Sequence, residues 1–222
     1  ADEFLSKQDL NKVLITKKYL CGVKKENAFQ FHPLNFMQSL ANECISLGGK
    51  ISENSKFIDY KYEKREYLSK IKTKEGIVSI SSKKIVFATG GYGGNEIKSL
   101  RKYWLPIKTF IGVTEPLGNR VKEIFKKNYA ISDNRRAGNY YRILPDGRLS
   151  WGRGISAFGN IPNKRIKKQV AKEIKYFYPQ LGKLNIEYAW SGNMAYARHF
   201  MPYVGPIKIG SENSGIFAIT GF

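Results

Sequence analysis

The 222-residue sequence predicts a mixed α/β (α+β) fold, and three observations lead to that prediction. A segment at about 33–47 has one apolar face at helical spacing. Several runs that alternate between apolar and polar residues follow it, as half-buried strands do. A continuous apolar run, KIVFAT at 84–89, then ends in a cluster of glycines. These patterns indicate a helix, a β-meander and a buried strand in the first half of the chain.

The composition indicates a globular protein with a large positive charge. Apolar residues make up 42% of the chain, which is enough to fill a sizeable core. The net charge of +20 raises the alternative of a basic nucleic-acid-binding module. The densest basic tracts, at 61–74 and 164–168, are interleaved with Ile, Tyr and Glu, as on the solvent faces of a hairpin and a helix. We therefore expect no specific nucleic-acid partner, although YKYEKREY at 60–67 keeps the alternative open.

The sequence gives no sign of export or membrane insertion. No stretch approaches the ~20 apolar residues of a membrane span, and ADEFLSKQDL at the start lacks the features of a signal peptide. Cys21 and Cys44 are the only cysteines, too few for a disulfide framework or a four-ligand zinc site. We expect a soluble, cytoplasmic protein with reduced thiols, no membrane span and no metal site.

The elements of the first half follow from local patterns. Residues 7–20 have apolar residues at roughly helical spacing, but a short helix that runs into a strand fits equally well. Pro33 stands at a first-turn position and Gly48 follows the last apolar residue, so a helix is predicted over about 33–47, with His32 at its entry. The alternating runs after it predict a meander with a turn at Glu75-Gly76. The apolar stripe of the helix consists of Leu34, Met37, Leu40, Ala41, Cys44 and Ile45.

The second half combines one hairpin with further helices and strands. YYRILPDGRLSWGRG has two alternating runs around Pro-Asp-Gly, a strong hairpin signal. An amphipathic helix is predicted over 162–178, where Pro179 ends it. The remaining predicted elements, in chain order, are a short helix (NEIKSLRKYWLP, closed by Pro106), a strand (KTFIGVTEPL), a helix (GNRVKEIFKKN), and strands in IEYAWSG and GIFAIT.

The glycine cluster after KIVFAT does not match the dinucleotide-binding fingerprint. In G-x-G-x-x-G the glycines let a helix N-terminus approach a pyrophosphate. Counted from Gly91, the third glycine is replaced by Glu96, and the cluster follows a helix and a meander instead of opening the fold. What remains is a strand end with no side chain beyond Thr89 until Tyr92. Such an end lets a ligand or another backbone come close.

The order of these motifs resembles one known family. HPLNFMQSLANECISLGG, SENSKFIDYKYE and KKIVFATGGYGG resemble the middle of the FAD-dependent D-amino acid oxidase (DAO) superfamily, and in particular its bacterial gamma-glutamylputrescine oxidoreductase-like members. TFIGVTEPL, NYYRILPDGRLSWG, YAWSGNMAYARHFMPYVG and GIFAITGF resemble the segments that follow in that family. Each motif is weak alone, and their shared order is the specific signal.

The resemblance implies a domain plan and a cofactor. Part of a Rossmann-like FAD/NAD(P)-binding domain would span 1–105, an antiparallel-sheet substrate domain 106–205, and a strand returning to the FAD domain 206–222. FAD would be the cofactor. The positions implied to contact it are Lys56, Phe57, Ala88, Thr89, Gly90, Tyr92, Gly221 and Phe222.

The resemblance also implies the reaction. A hydride would leave the carbon beside the amine of an amino acid or a polyamine-derived amine, giving an imine. The implied substrate-side candidates are Tyr141, Arg142, Arg198 and His199. An arginine would pair a substrate carboxylate, and a tyrosine would supply a wall with a polar tip. We expect Trp151 and Trp190 to belong to the core.

Two expected segments are absent from the sequence. Neither the G-x-G-x-x-G turn nor a loop beyond the final Gly-Phe is present, and the sequence ends two residues after the apolar run GIFAIT. We therefore expect the chain to be a piece of a longer protein that binds FAD poorly and is inactive alone. An inactive truncated flavoprotein relative is the remaining alternative.

Overall fold

The computed structural model describes residues 2–93, 103–157, 159, 161–197, 199–209 and 212–221, and it confirms the mixed α/β prediction. The helices are α1 (Lys7–Leu10), α2 (Pro33–Ser46) and α3 (Asn163–Phe177). The strands are β1 (Glu3–Leu5), β2 (Gly22–Lys24), β3 (Lys56–Glu63), β4 (Glu66–Lys72), β5 (Ile77–Ser82), β6 (Ile85–Phe87), β7 (Trp104–Pro116), β8 (Ile131–Ser132), β9 (Tyr140–Ile143), β10 (Arg148–Ser156), β11 (Ile186–Ala197), β12 (Tyr203–Ile209) and β13 (Glu212–Thr220).

These elements form two compact units. The first unit consists of residues 1–30 and 108–192, and the second of residues 31–107 and 193–222. The resemblance implies that residues 1–30 share a domain with the meander and residues 193–205 share a domain with the hairpin. In the structure, residues 1–30 belong to the unit of the hairpin, and residues 193–205 belong to the unit of the meander. Within the described residues, no helix is long and apolar enough to cross a membrane.

The first unit is built on a five-stranded sheet in the order β11-β7-β10-β9-β8. The predicted Pro-Asp-Gly hairpin is confirmed as β9 and β10, which pair antiparallel with Tyr141 opposite Trp151. The turn closes with a bond from the Leu144 amide to the Arg148 carbonyl oxygen at 2.8 Å. Gly147 in this turn has φ +78°, a left-handed conformation that glycine adopts without strain.

Helix α3 covers one face of this sheet and confirms the helix predicted over 162–178. Its apolar residues recur at helical spacing and all are buried: Ile166, Val170, Ile174 and Phe177. At Gly112 of β7, a Cβ atom would lie 2.9 Å from Val170 and 3.1 Å from Ile186. The missing side chain at Gly112 therefore lets the helix pack close to the sheet.

The N-terminal segment also packs into the first unit. Helix α1 is short, and Leu10 and Leu14 behind it are buried in the core. Leu14 forms an antiparallel bridge with Phe125, so a short helix followed by extended chain is the alternative that occurs. This pairing also explains why the helix predicted over GNRVKEIFKKN is wrong. The segment has only a 3₁₀ stretch, Gly118–Glu123, before its backbone turns to bond residues 13–15.

The second unit contains two three-stranded sheets in the orders β3-β4-β5 and β12-β13-β6. The first is the predicted meander, with its Glu75-Gly76 turn closed by the Thr73 amide on the Gly76 carbonyl. In the second sheet, β6 and β13 are parallel. The prediction of a buried strand at KIVFAT is wrong for one face of β6, because β6 lies at the edge of its sheet among the described residues and Val86 is 55% exposed.

Helix α2 confirms the predicted helix but not its burial. His32 is its N-cap residue, and the His32 Nδ1 accepts from the Asn35 amide at 3.2 Å. None of its residues is buried, and Leu34 and Met37 are each 60% exposed. The predicted helix NEIKSLRKYWLP falls largely on residues 94–102, outside the described residues. The part that follows is strand, because β7 begins at Trp104 and includes Pro106.

Candidate functional site

Two parallel strands of the second unit end at the same edge of their sheet. Ile216 lies opposite Ile85 and Ala218 opposite Phe87, so both chains leave this edge side by side. The ends of parallel strands are where open α/β sheets bind ligands. Residues from two predicted cofactor segments, Ala88–Gly90 and Gly221, therefore meet at one strand end.

The glycine cluster after β6 is a packing turn. Gly91 is buried, and a Cβ there would lie 2.6–2.8 Å from the backbone of Met194, so only glycine fits. The Tyr92 hydroxyl accepts from the Asn193 amide at 3.1 Å. Ala88 and Thr89, one turn earlier, remain exposed. The turn thus anchors itself on β11 and leaves a strand end with small side chains open to a ligand.

The end of β13, like the end of β6, contains a glycine that packs closely against another part of the chain. Gly221 has φ +84°, and a Cβ there would lie 3.2 Å from the Ala197 Cβ. The side chain of Thr220 is 2% exposed, yet its hydroxyl has no hydrogen-bond partner among the described residues. A buried hydroxyl without a partner costs about 1–3 kcal/mol. A polar ligand group at this edge would remove that cost.

Phe57 connects the meander to the same strand end. Its ring meets Phe87 edge to face with centroids 5.1 Å apart, and Phe87 immediately precedes Ala88. Lys56 beside it is exposed. The structure thus brings Phe57, one of the positions implied to contact FAD, against the residue that precedes Ala88. Phe222, which was predicted for the cofactor, lies outside the described residues.

A tyrosine that sequence reasoning missed fixes this arrangement. The Tyr67 hydroxyl accepts from the Gly215 amide at 2.8 Å, and the side chain is only 6% exposed. Tyr67 therefore joins β4 of the meander to β13. Its ring packs on Tyr60 and Tyr62 with centroids 5.8 and 4.8 Å away, so two aromatic rings of the segment 60–67 contact Tyr67 itself.

Tyr141, predicted to face the substrate, lies in the core of the first unit. It is 3% exposed and stacks on Trp151 with centroids 4.0 Å apart. Its hydroxyl bonds those of Tyr178 at 2.7 Å and Tyr19 at 3.2 Å. Burial raises the pKa of Tyr141 far above its ordinary value, so the phenol stays neutral. This placement disagrees with the predicted contact with substrate, because the rings of Trp151, Tyr178 and Phe125 enclose the Tyr141 side chain.

The neighbours of Tyr141 point the other way. Side chains alternate along a strand, so Tyr140 and Arg142 lie on the face of the sheet opposite α3. Tyr140 is 41% exposed, and its ring lies against Gly152, where a Cβ would collide with it. Arg142 is opposite Ser150 on β10. We name this surface, formed by Tyr140, Arg142, Ser150 and Gly152, the open face of the sheet.

The other predicted substrate residues belong to the second unit's part of the chain. His199 is exposed, and its Nδ1 accepts from the Met201 amide at 3.2 Å. Arg198 lies outside the described residues. Trp151 is fully buried as expected, whereas Trp190 is 46% exposed and does not belong to the core. Within the described residues, no group of three or more His, Cys, Asp and Glu side chains could hold a metal ion.

Comparison with curated proteins identifies relatives over most of the chain. It is 29% identical over 195 residues to "Probable oxidoreductase OrdL" of Haemophilus influenzae, covering 86% of this chain and 43% of that protein. It is 26% identical over 205 residues to gamma-glutamylputrescine oxidoreductase of Escherichia coli, covering 91% of this chain and 47% of the relative. The chain spans about half the length of the curated relatives it matches.

Solved structures share the fold. Glycine oxidase from Geobacillus kaustophilus superposes on the whole chain with a TM-score of 0.75 at 15% identity, and the match covers 57% of that enzyme. L-proline dehydrogenase from P. horikoshii gives a TM-score of 0.78 at 19% identity, with 59% of that chain covered. At these identities the likeness shows the fold alone.

The strand end fits the cofactor of this fold family. Small side chains at Ala88–Gly90, a left-handed glycine at 221 and the unpartnered Thr220 hydroxyl suit a flat polar molecule laid across the ends of β6 and β13. The sequence of residues 1–222 matches the FAD dependent oxidoreductase family, DAO. The chain therefore belongs to the DAO family of FAD-dependent oxidoreductases.

Proposed function

We propose that the protein oxidises the CH–NH group of a small amine or amino acid that carries a carboxylate. The observation that carries this proposal is the open face, where a tyrosine and an arginine project side by side from β9. The names of gamma-glutamylputrescine oxidoreductase, glycine oxidase and L-proline dehydrogenase each contain an amine or an amino acid, which supports this substrate class.

Two residues of the open face have a proposed task. Arg142 binds the substrate carboxylate through two parallel hydrogen bonds, which fixes the orientation of the carbon to be oxidised. Tyr140 lies flat over Gly152 and forms a wall with a polar tip that excludes water from the apolar part of the substrate.

The cofactor residues follow from the strand end. The adenine of FAD would lie against Lys56 and Phe57. The ADP half would lie against Ala88–Gly90 and Tyr92, and the flavin side against Gly221 and Phe222. FAD supplies the hydride acceptor, which leaves an imine that hydrolyses. The substrate amine must be neutral for its nitrogen lone pair to form the C=N bond as the hydride leaves. The protein therefore needs positioning groups more than acid-base groups.

Arginine variants test the substrate assignment in a flavin-loaded protein that contains these 222 residues. We expect Arg142→Met to raise KM for an amino acid about ten- to hundredfold, because it removes a charged hydrogen-bonded pair worth about 1.5–3 kcal/mol. KM for the matching amine without a carboxylate should not change. Arg136→Met, at an exposed position outside the open face, is the control. Equal losses on both substrates would contradict the role of Arg142.

The activity of the 222-residue chain alone is a separate question. We propose that it is inactive alone, because the motif that would hold the pyrophosphate is absent from its sequence. Purified chain mixed with FAD should show no protein-bound flavin absorbance after gel filtration. Retained flavin bands together with amine-dependent bleaching would overturn this proposal.

A further inference from the structure

The first unit contains a cavity of about 730 Å³ that is separate from the open face of its sheet. Its walls come from residues 5–25, residues 129–135 and the last turn of α3. Small-molecule sites typically have volumes of roughly 300–1,000 Å³. The cavity is therefore large enough for a ligand, and none of the residues proposed for substrate or FAD lines it.

The floor of the cavity is apolar. Leu10, Leu14 and Phe177 line it, and they are 9%, 2% and 4% exposed as members of the hydrophobic core. The Tyr19 ring continues this surface, with its centroid 5.2 Å from that of Phe177. A ligand body placed here would gain about 25 cal/mol for each Å² of apolar surface removed from water.

The mouth of the cavity is cationic. Four basic side chains line it, whereas Asp133 is the one carboxylate lining it in the described part of the chain. Arg135 holds Asp133 at 2.8 Å, and the lysines at 24 and 25 pair with acids outside the lining. The basic side chains are Lys18, Lys24, Lys25 and Arg135.

Lys18 differs from the other three cations. Its Nζ lies 3.9 Å from the centroid of the Tyr176 ring, and no ion pair joins it to a carboxylate of the described residues. Both Lys18 and Tyr176 line the cavity. A ligand anion at the mouth would therefore find a cation that is not already neutralised, beside an aromatic surface.

Tyr19 adds a neutral donor. Its hydroxyl accepts from Tyr141, so it keeps its own proton for another acceptor. Burial raises the pKa of Tyr19 to about 12, which keeps the hydroxyl protonated at neutral pH. Pockets of this kind, apolar with a few polar groups, are typical of small-molecule sites.

We propose that this cavity binds a small apolar monocarboxylate, with its apolar body on the leucine and phenylalanine floor and its carboxylate paired with Lys18. An amine of the same shape is repelled by Lys18, whose charge no carboxylate of the described residues neutralises, and a neutral alcohol lacks the ion pair. This inference does not rest on the proposed oxidation, since it involves neither the open face nor the strand end of the second unit.

Octanoate is the probe, measured by isothermal titration calorimetry on the complete polypeptide with and without FAD. Octylamine and octanol are the matched controls for charge. We expect octanoate to bind at a stoichiometry of one, at least tenfold more tightly than octylamine, with or without flavin. Equal affinity for octanoate and octylamine would overturn the proposal, and so would displacement of octanoate by a saturating amine substrate.

Two neighbouring lysines provide the site-specific control. Lys18→Gln should weaken octanoate binding about two- to fivefold, as expected for the loss of an exposed ion pair, and leave octanol binding unchanged. Lys17→Gln removes a charge next in sequence that does not line the cavity, so it should have no effect. Equal losses in both variants would indicate general charge attraction and overturn the proposal.

Filling the cavity is the second test. Val13 lines the floor and is partly buried, so Val13→Trp should abolish octanoate binding. A folded Val13→Trp protein that binds octanoate with unchanged affinity would show that the site lies elsewhere. If Val13→Trp does not fold, the exposed Lys18→Glu variant replaces it, and unchanged octanoate affinity in that variant would count equally against the site.

Discussion

The two units cover their apolar residues very differently. Helix α3 of the first unit has six Lys and Arg residues, yet its four apolar side chains at 166, 170, 174 and 177 are all buried. Helix α2 of the second unit has one charged residue and a broad apolar stripe, yet buries none of its side chains. Helical periodicity in a sequence therefore identifies the apolar face of a helix, but it does not show whether another segment packs on that face.

The apolar stripe of α2 is exposed along the length of the helix. Leu34, Phe36, Met37, Leu40 and Ile45 are all between 48% and 60% exposed. Continuous apolar surface of this kind marks an interface. Because the chain spans about half of its curated relatives, we expect that a longer polypeptide of this family covers α2, whereas α3 already has its cover within residues 1–30 and 108–192.

The largest effect should come from the core of the first unit. Trp151 is fully buried and stacked on Tyr141, so Trp151→Ala should lower the free energy of unfolding of this unit by about 3–5 kcal/mol. Trp190→Ala, at a position 46% exposed, is the control and should cost less than about 1.5 kcal/mol. Urea unfolding followed by circular dichroism measures the free energy of unfolding of both variants. Similar losses of stability would show that Trp151 is not buried in a core formed by the first unit.

Alkaline pH should weaken the first unit next. Burial raises the pKa of Tyr19 from 10.0 to about 12 in the folded state. The folded state therefore binds more protons than the unfolded state between these pH values, and stability is lost as pH rises from 10 to 12. We expect Tyr19→Phe to remove about 1–2 kcal/mol of that pH dependence, reduced for its partial exposure. An unchanged slope of unfolding free energy against pH would contradict this reading.

A smaller effect is expected at the tyrosine that joins the two sheets of the second unit. Tyr67→Phe removes the acceptor of the Gly215 amide and should cost about 0.5–1.5 kcal/mol. Amide hydrogen exchange at Gly215 should become faster, while exchange at residues of β9 and β10 stays unchanged. Tyr62→Phe, at a ring 60% exposed, is the matched control. Slow exchange at Gly215 in the Tyr67 variant would mean that another contact holds β4 to β13.

The smallest effect on the free energy of unfolding is expected for substitutions in the exposed helix α2. Met37→Ala in the 222-residue chain should change the free energy of unfolding by no more than about 0.5 kcal/mol, because the side chain is 60% exposed. The same substitution in a longer polypeptide should cost about 2–5 kcal/mol if that polypeptide buries α2. Equal small effects in both would show that α2 stays exposed.

Sequence patterns predicted the helices and strands better than the burial of these elements or their pairing with distant segments. The hairpin, α2, α3 and the meander follow from turn residues and from periodicity, which are local properties of the chain. Whether residues 118–128 form a helix depends on the pairing of that segment with residues 13–15, a contact between distant parts of the sequence. The predicted burial of β6 was wrong because burial depends on which strands lie beside it, and the sequence of β6 itself does not show this.

The candidate site shows the same limit at the level of single residues. The sequence indicated that one of Tyr140 and Tyr141 faces the core, because they alternate on a strand. It could not indicate which, since both faces of β9 carry large side chains and the register with β10 decides the matter. Gly152 opposite Tyr140 is the signal that could have found the exposed ring, because a glycine in a strand often marks a close approach.

Gly152 has a consequence for how such a protein can change its substrate. Position 152 contributes no atom beyond the backbone to the open face, yet any Cβ there must displace the Tyr140 ring. An alanine at 152 would therefore redraw the proposed binding surface through its neighbour, without altering the arginine or the tyrosine. Under the proposed function, a substitution at position 152 therefore changes the shape of the binding surface through the Tyr140 ring, and a survey of contact residues alone would overlook it.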